Sequence, residues 1–66
     1  MYEVKHSKVS YGEFPLFVQA VQRLWELRNE VHCHIERDGR PWSSYLDSLD
    51  AAREYGWVVN DEWTFD

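Results

Sequence analysis

Apolar residues recur at steps of three and four in the second quarter of the chain, which is the spacing of one face of a helix. The recurring positions are Phe17, Ala20, Val21, Leu24, Leu27 and Val31. Pro15 suits the first position of a helix, where its missing N–H costs nothing, so we expect helix one over about residues 15–29. Leu16, Val18 and Trp25 widen the apolar stripe, which predicts that this helix is the most buried element.

Alternation of apolar and polar residues predicts a strand before helix one. The apolar phase changes partway along residues 2–11, which predicts one imperfect strand with a bulge or bend near residues 6–8. The two phases consist of Tyr2 with Val4 and of Val9 with Tyr11. A turn is expected at residues 12 and 13, before the helix.

A second strand is expected directly after helix one. Residues 31–36 alternate between apolar and polar side chains, with the apolar side inward. Asp38 and Gly39 then form a dipeptide that is typical of a tight turn. Sequence alone leaves open whether residues 40–42 pair back as a short hairpin arm.

Helix two has the clearest end signals in the chain. Ser44 followed by Asp47 resembles a capping box, and Gly56 supplies a left-handed stop. We therefore expect a helix over about residues 45–55. Residues 57–65 again have strand character, interrupted by an Asn-Asp pair, and fit either one bulged strand or a tight two-stranded turn.

These elements predict a single α+β domain over residues 1–66, in the order β-α-β-α-β. Both helices should pack on one face of a sheet of about three strands. A chain of this length buries only roughly 60% of the surface that its unfolded form exposes, so the core must be small. Besides helix one, the expected core residues are Val4, Val31, Cys33, Ile35, Leu46, Leu49, Trp57 and Val59.

The net charge of −5 comes entirely from the last 26 residues. Residues 41–66 hold six acids and one base, Arg53, whereas residues 1–40 hold six of each. The acidic segment also holds Trp42, Tyr45, Tyr55, Trp57, Trp63 and Phe65. Carboxylates beside aromatic rings suit a protein partner rich in Arg and Lys, and the net charge disfavours nucleic acid or an anionic membrane as a direct ligand.

At about 100° per residue, three of the acids on helix two fall within a narrow sector of its surface: Asp47, Asp50 and Glu54. Asp47 suits the first turn of the helix, and Asp50 can pair with Arg53. Glu54 has no such explanation, because it lies near the negative end of the helix. Asp61, Glu62 and Asp66 add further acid beyond it. The simpler interpretation of any such stripe is a solvated helix face.

In size and charge the chain is similar to phage-encoded DNA-mimic proteins, including anti-CRISPR and anti-restriction inhibitors. The resemblance is carried by no sequence motif. It implies a small inhibitor that occupies the basic site of a nucleic-acid-binding protein, without enzyme activity or a cofactor. The expected partner-binding residues are Asp47, Asp50, Glu54, Tyr55, Trp57, Asp61, Glu62, Trp63 and Asp66. The alternative is a structural or regulatory subunit that forms a homodimer through Val18, Trp25, Trp63 or Phe65.

Two histidines and the only cysteine are the remaining candidates for chemistry. His32 and His34 would share one face of a strand, but a metal site would need a further ligand such as His6 or Glu36, so we expect no metal site. Cys33 should point into the core, where its thiolate is disfavoured. A lone cysteine cannot form an internal disulfide, and no leader or membrane-spanning stretch is evident, so we expect a cytoplasmic protein.

Overall fold

The structure, a computed structural model, describes residues 1–66. It contains two helices, a four-stranded antiparallel sheet in the order β2-β1-β3-β4, and a separate two-stranded sheet. The elements in chain order are β1 (Tyr2–His6), β2 (Val9–Phe14), α1 (Phe17–Leu27), β3 (His34–Arg37), β4 (Arg40–Ser43), α2 (Tyr45–Glu54), β5 (Val58–Val59) and β6 (Glu62–Trp63). The α+β class is confirmed, but the three expected strands are six. Neither helix is long and apolar enough to cross a membrane.

The N-terminal segment is a hairpin and not one bulged strand. β1 pairs antiparallel with β2, and His6 lies opposite Val9. Ser7 adopts a left-handed φ of 57° in the turn between the strands. The change of apolar phase at residues 6–8 therefore marks a turn, because each strand of the hairpin has its own inward phase.

Gly12 lies inside β2, so the prediction of a turn at residues 12 and 13 is wrong. The register passes from the pair Glu3–Glu13 to the pair Lys5–Ser10, which places one extra residue on β2. Gly12 has a φ of 127° at this bulge, and a Cβ there would lie 3.1 Å from the ring of Phe14. Glycine is therefore required by the bulge.

Helix α1 is shorter than expected and supplies half of the ten-residue hydrophobic core. The N–H of Leu16, the residue before the helix, donates to Gln19 Oε1 at 3.3 Å, so Pro15 precedes the helix. Five of the eleven buried residues lie on α1: Ala20, Val21, Leu24, Trp25 and Leu27. Trp25, one of the residues offered for a dimer contact, is only 5% exposed, and the Arg28 guanidinium lies 4.0 Å from its ring centroid.

Residues 40–42 do pair back as a hairpin arm, a point that the sequence left open. The predicted turn at Asp38 and Gly39 is confirmed, with left-handed φ values of 51° and 80°. Residues 40–43 pair back on β3, which begins at His34 and not at residue 31. β3 also pairs with β1, and the opposed residues Val4 and Ile35 are fully buried. This pair marks the face of the sheet that the helices cover.

Of the two α2 leucines expected in the core, Leu49 packs against the core cluster but Leu46 does not. Leu46 is 69% exposed, and the buried side chains are those of Ser48 and Ala52. Small residues let the helix approach the sheet closely, and the Ser48 hydroxyl donates to the Ser44 carbonyl at 2.7 Å, so its burial costs little. The prediction of the helix start is confirmed, because Ser44 Oγ accepts from the Asp47 N–H at 3.1 Å.

The C-terminal segment is a tight hairpin, one of the two alternatives that the sequence allowed. Asn60 and Asp61 both adopt left-handed φ values, of 53° and 60°, between β5 and β6. The hairpin is joined to α2 by the Trp57 N–H, which donates to the Ala52 carbonyl at 2.8 Å. Val58 is buried and Val59 is 52% exposed, so the expected inward residue was wrong by one position.

Candidate protein-binding surface

The three carboxylates of α2 lie on the solvent side of the helix, as the sequence predicts. Asp47, Asp50 and Glu54 are all exposed, on the side away from Ser48. Asp50 approaches Arg53 at 3.9 Å, but both side chains are more than half exposed, so this pair contributes little. The other two carboxylates form no salt bridge.

Trp57 is the centre of a group of rings at the C-terminal end. Its ring centroid lies 5.1 Å from that of Tyr55, 6.2 Å from Trp63 and 6.1 Å from Phe65. The indole N–H of Trp63 donates to the Phe65 carbonyl at 2.7 Å, which fixes the last residues of the hairpin. Trp57 and Trp63 are half-buried, whereas Tyr55 is 66% and Phe65 is 45% exposed. The predicted aromatic site residues are therefore brought together, and Tyr55 presents the largest accessible face among them.

The same group of rings continues into the N-terminal half of the chain. Phe17 of α1 lies 6.1 Å from Trp57, and Tyr2 of β1 lies 5.6 Å from Phe17. Trp42 of β4 completes the series at 6.0 Å from Tyr2. We call these seven rings the aromatic cluster. No pattern in the sequence predicted Tyr2 and Phe17 as members, because only the tertiary fold brings them to Trp57.

The acids of the C-terminal hairpin are exposed and unpaired. Asp61, Glu62 and Asp66 form no salt bridge. Asp61 has a structural role that the sequence did not indicate, since it occupies a left-handed turn position that Asp tolerates. Glu62 lies opposite Val59 in the two-stranded sheet, and both side chains are exposed. No local structural requirement accounts for Glu54, Glu62 or Asp66.

A second row of acids crosses the four-stranded sheet and was not expected. Glu3 of β1 lies opposite Glu13 of β2 and opposite Glu36 of β3. Directly opposed residues share a face, so the three carboxylates are neighbours. The overall neutrality of residues 1–40 conceals this row, which depends on strand register.

Only the Glu36 end of this row is neutralised. His34 Nε2 lies 2.8 Å from the Glu36 carboxylate, and Lys5 Nζ lies 3.8 Å from it. The hydrogen bond with His34, followed by the positive charge of Lys5, lowers the pKa of Glu36. Glu3 and Glu13 form no salt bridge.

The histidines are engaged in separate contacts. His32 precedes β3 and stacks on the Tyr45 ring at a centroid distance of 4.2 Å. His6 Nδ1 lies 3.1 Å from the His32 carbonyl, while His34 is bonded to Glu36. The structure contains no group of three His, Cys, Asp or Glu side chains that could hold a metal ion.

Cys33 is fully buried, and burial raises the pKa of its thiol. Its reaction with a thiol reagent such as DTNB therefore requires local or global opening of the fold. We expect native Cys33 to react at neutral pH at least about 100-fold more slowly than in the protein unfolded by guanidinium. Stopped-flow absorbance measures both rates, and equal rates would show that the thiol is accessible in the native state.

Glu54→Lys should stabilise the protein. The substitution removes the repulsion between Glu54 and Asp50 one turn earlier, and it places a cation near the negative end of α2. We expect a gain of about 0.5 kcal/mol, or about 2–4 °C in Tm. Asp47→Lys is the matched control and should lower Tm, because Asp47 lies in the first turn. Thermal unfolding followed by circular dichroism distinguishes them, and shifts of the same sign would contradict the expectation.

No family model, curated protein or solved structure matches this chain. The exposed carboxylates and exposed aromatic rings are the groups through which this chain could recognise a partner. Unpaired carboxylates beside Tyr55 and Phe65 offer both an ion partner and a stacking surface to a guanidinium group.

Proposed function

We propose that this chain is a small inhibitor that occupies the basic site of a nucleic-acid-binding protein, as a DNA mimic does. Support comes from one observation above all. Glu54, Glu62 and Asp66 are exposed, unpaired and not required by the local structure, and they belong to the segment that carries the exposed rings of Tyr55 and Phe65.

The spacing of the α2 carboxylates suits this role. Residues three or four apart on a helix have Cβ atoms about 5–6 Å apart, a repeat comparable with that of neighbouring backbone phosphates. Asp47, Asp50 and Glu54 therefore offer a basic protein a row of anions on a rigid helix. Asp61, Glu62 and Asp66 extend the negative charge onto the hairpin that follows. We call these six acids the acidic surface.

The aromatic rings add a second mode of recognition. A partner arginine can pair with Glu54 while its guanidinium stacks on the neighbouring Tyr55 ring, which is 66% exposed. The Tyr55 ring packs against the Trp57 ring, with 5.1 Å between centroids. Binding would be stoichiometric, with neither catalysis nor a cofactor. A cytoplasmic location, where DNA-binding partners act, belongs to the same proposal.

The test is competition with DNA. Immobilised protein is used to capture binding proteins from the native host, and these are eluted by a salt gradient. We expect the specific partner to elute well below 1 M salt, where screening reduces the Debye length to about 3 Å. The purified partner should then bind a labelled DNA duplex, and this chain should displace that duplex at a stoichiometry of one to one. A captured protein whose DNA binding is unaffected would refute the proposal.

The alternative function is a subunit that forms a homodimer through apolar and aromatic residues. It is favoured by large exposed side chains, with Leu46 at 69%, Trp42 at 53% and Val59 at 52% exposure. Such a dimer should persist at high salt, because apolar burial is not screened. Light scattering after size-exclusion chromatography in 1 M salt tests it, and a monomer at micromolar concentration would exclude it.

A further inference from the structure

Hairpin β3–β4 carries a basic surface that the proposed function does not use. Arg37 and Arg40 lie directly opposite each other across the hairpin. Both are exposed and neither forms a salt bridge. The carboxylate of Asp38, in the turn between them, is 2.9 Å from the Met1 amino group. Like charges opposed in this way destabilise a hairpin, so an anion bound there would reduce the repulsion between the two guanidinium groups.

Aromatic rings hold one of these arginines in place. The guanidinium of Arg37 lies 4.9 Å from the centroid of Trp42 and 5.3 Å from that of Tyr2. Stacking on two rings restricts the side chain, so less entropy is lost when it binds a carboxylate. Trp42 is 53% exposed, and an open cavity of about 420 Å³ is lined by Trp42, the two arginines, Pro41 and Asp38. We call Arg37, Arg40 and Trp42 the arginine surface.

We propose that the arginine surface of one copy binds the acidic surface of a second copy. Charge complementarity carries this inference: the chain holds an acidic surface and an arginine surface that form no salt bridge with each other. The exposed ring of Tyr55 on one copy and Trp42 on the other supply apolar contact beside the ion pairs.

The two surfaces are different parts of the chain, so the contact is heterologous. A linear assembly therefore has a free acidic surface at one end and a free arginine surface at the other. Further copies can add at either end, so growth proceeds head to tail. The assembly would cover the acidic surface and compete with the inhibited partner. This inference uses the same acidic surface as the proposed function, but it does not require that function to be correct.

The test is sedimentation velocity on the wild-type chain over a range of concentrations. We expect the average mass to rise with concentration at about 20 mM salt and to fall to that of the monomer at 1 M, where exposed charges are screened. Wild-type protein that is monomeric at low salt and millimolar concentration overturns the proposal. So does association that persists at 1 M salt, which would indicate an apolar interface.

Charge-reversed variants locate the contact. Arg37→Glu with Arg40→Glu should weaken association at least about tenfold, whereas Arg37→Lys with Arg40→Lys should retain most of it. Asp47→Lys, Asp50→Lys and Glu54→Lys together should also give a monomer. A mixture of the double-Glu and triple-Lys variants should associate in alternating order, because the first variant then carries two negative surfaces and the second carries two positive ones. A mixture that stays monomeric, with both variants folded by circular dichroism, overturns the proposal.

Two further measurements separate the possible outcomes. The double-Glu variant should still compete with DNA for the inhibited partner, since its acidic surface is intact, so failure of self-association and failure of the proposed function are distinguishable. A labelled single-stranded oligonucleotide should show no binding to the wild-type chain by fluorescence anisotropy. Binding that the double-Glu variant abolishes would assign the arginine surface to nucleic acid and overturn the inference.

Discussion

Leu24→Ala should lower the free energy of unfolding by about 2–5 kcal/mol. Leu24 is fully buried in the middle of α1, and its truncation leaves a cavity among the side chains of the core cluster. A core this small rarely supplies more than about 3–5 kcal/mol of net stability. We therefore expect the variant to be largely unfolded at 37 °C, as measured by chemical denaturation followed by tryptophan fluorescence and circular dichroism.

Leu46→Ala is the matched control for this substitution. The same atoms are removed from a helix, but Leu46 is 69% exposed. The free energy of unfolding should change by less than about 0.5 kcal/mol, as for other surface substitutions. Losses of similar size at both positions would mean that α2 packs through Leu46 and that the face containing Ser48 is not the buried one.

The triple variant Asp47→Lys, Asp50→Lys and Glu54→Lys should abolish binding to the basic partner. Three contacts of about 1 kcal/mol or more each correspond to a loss of affinity of roughly 100-fold or greater, and reversal adds repulsion. The fold should survive, because the unfavourable effect at Asp47 and the favourable effect at Glu54 oppose each other along the helix dipole. DNA competition measures the affinity, and circular dichroism checks the fold.

A second triple variant tests whether binding depends on the position of the acids or only on the net charge of the chain. Glu13→Lys, Glu26→Lys and Glu30→Lys change the same number of exposed acids outside α2 and the C-terminal hairpin. Each triple variant changes the charge by six units, from −5 to +1. We expect the second variant to retain affinity within a few-fold at physiological salt, because distant exposed charges are screened. Equal losses in both variants would show that binding responds to net charge alone.

Local signals in the sequence predicted several features correctly. The steps of three and four placed α1, and Ser44 with Gly56 marked the ends of α2. The turn at Asp38 and Gly39 followed from residues that tolerate a left-handed φ. Each of these signals acts over a few residues of backbone, so neighbouring sequence is enough to reveal it.

Pairing between distant segments was much harder to predict. Two short strands joined at Ser7 look like one bulged strand in a single sequence, because both patterns change the apolar phase. On α2, hydrophobicity favoured Leu46 as a core residue, whereas the close approach of the helix to the sheet selected the smaller Ser48 and Ala52. The fit between elements decides such choices, and it overrides the preference of one side chain.

The candidate surface likewise has some features that follow from local sequence and others that depend on contacts between distant segments. Sequence by itself determined that negative charge and aromatic residues concentrate in residues 41–66, and that the carboxylates of α2 face solvent, because helix periodicity is local. Only the tertiary structure joined Tyr2 and Phe17 to Trp57, opposed Glu3 to Glu13 and Glu36, and set Arg37 against Arg40 on the stacked ring of Trp42. These contacts depend on strand register and chain crossing between distant segments, which no pattern within a single segment specifies.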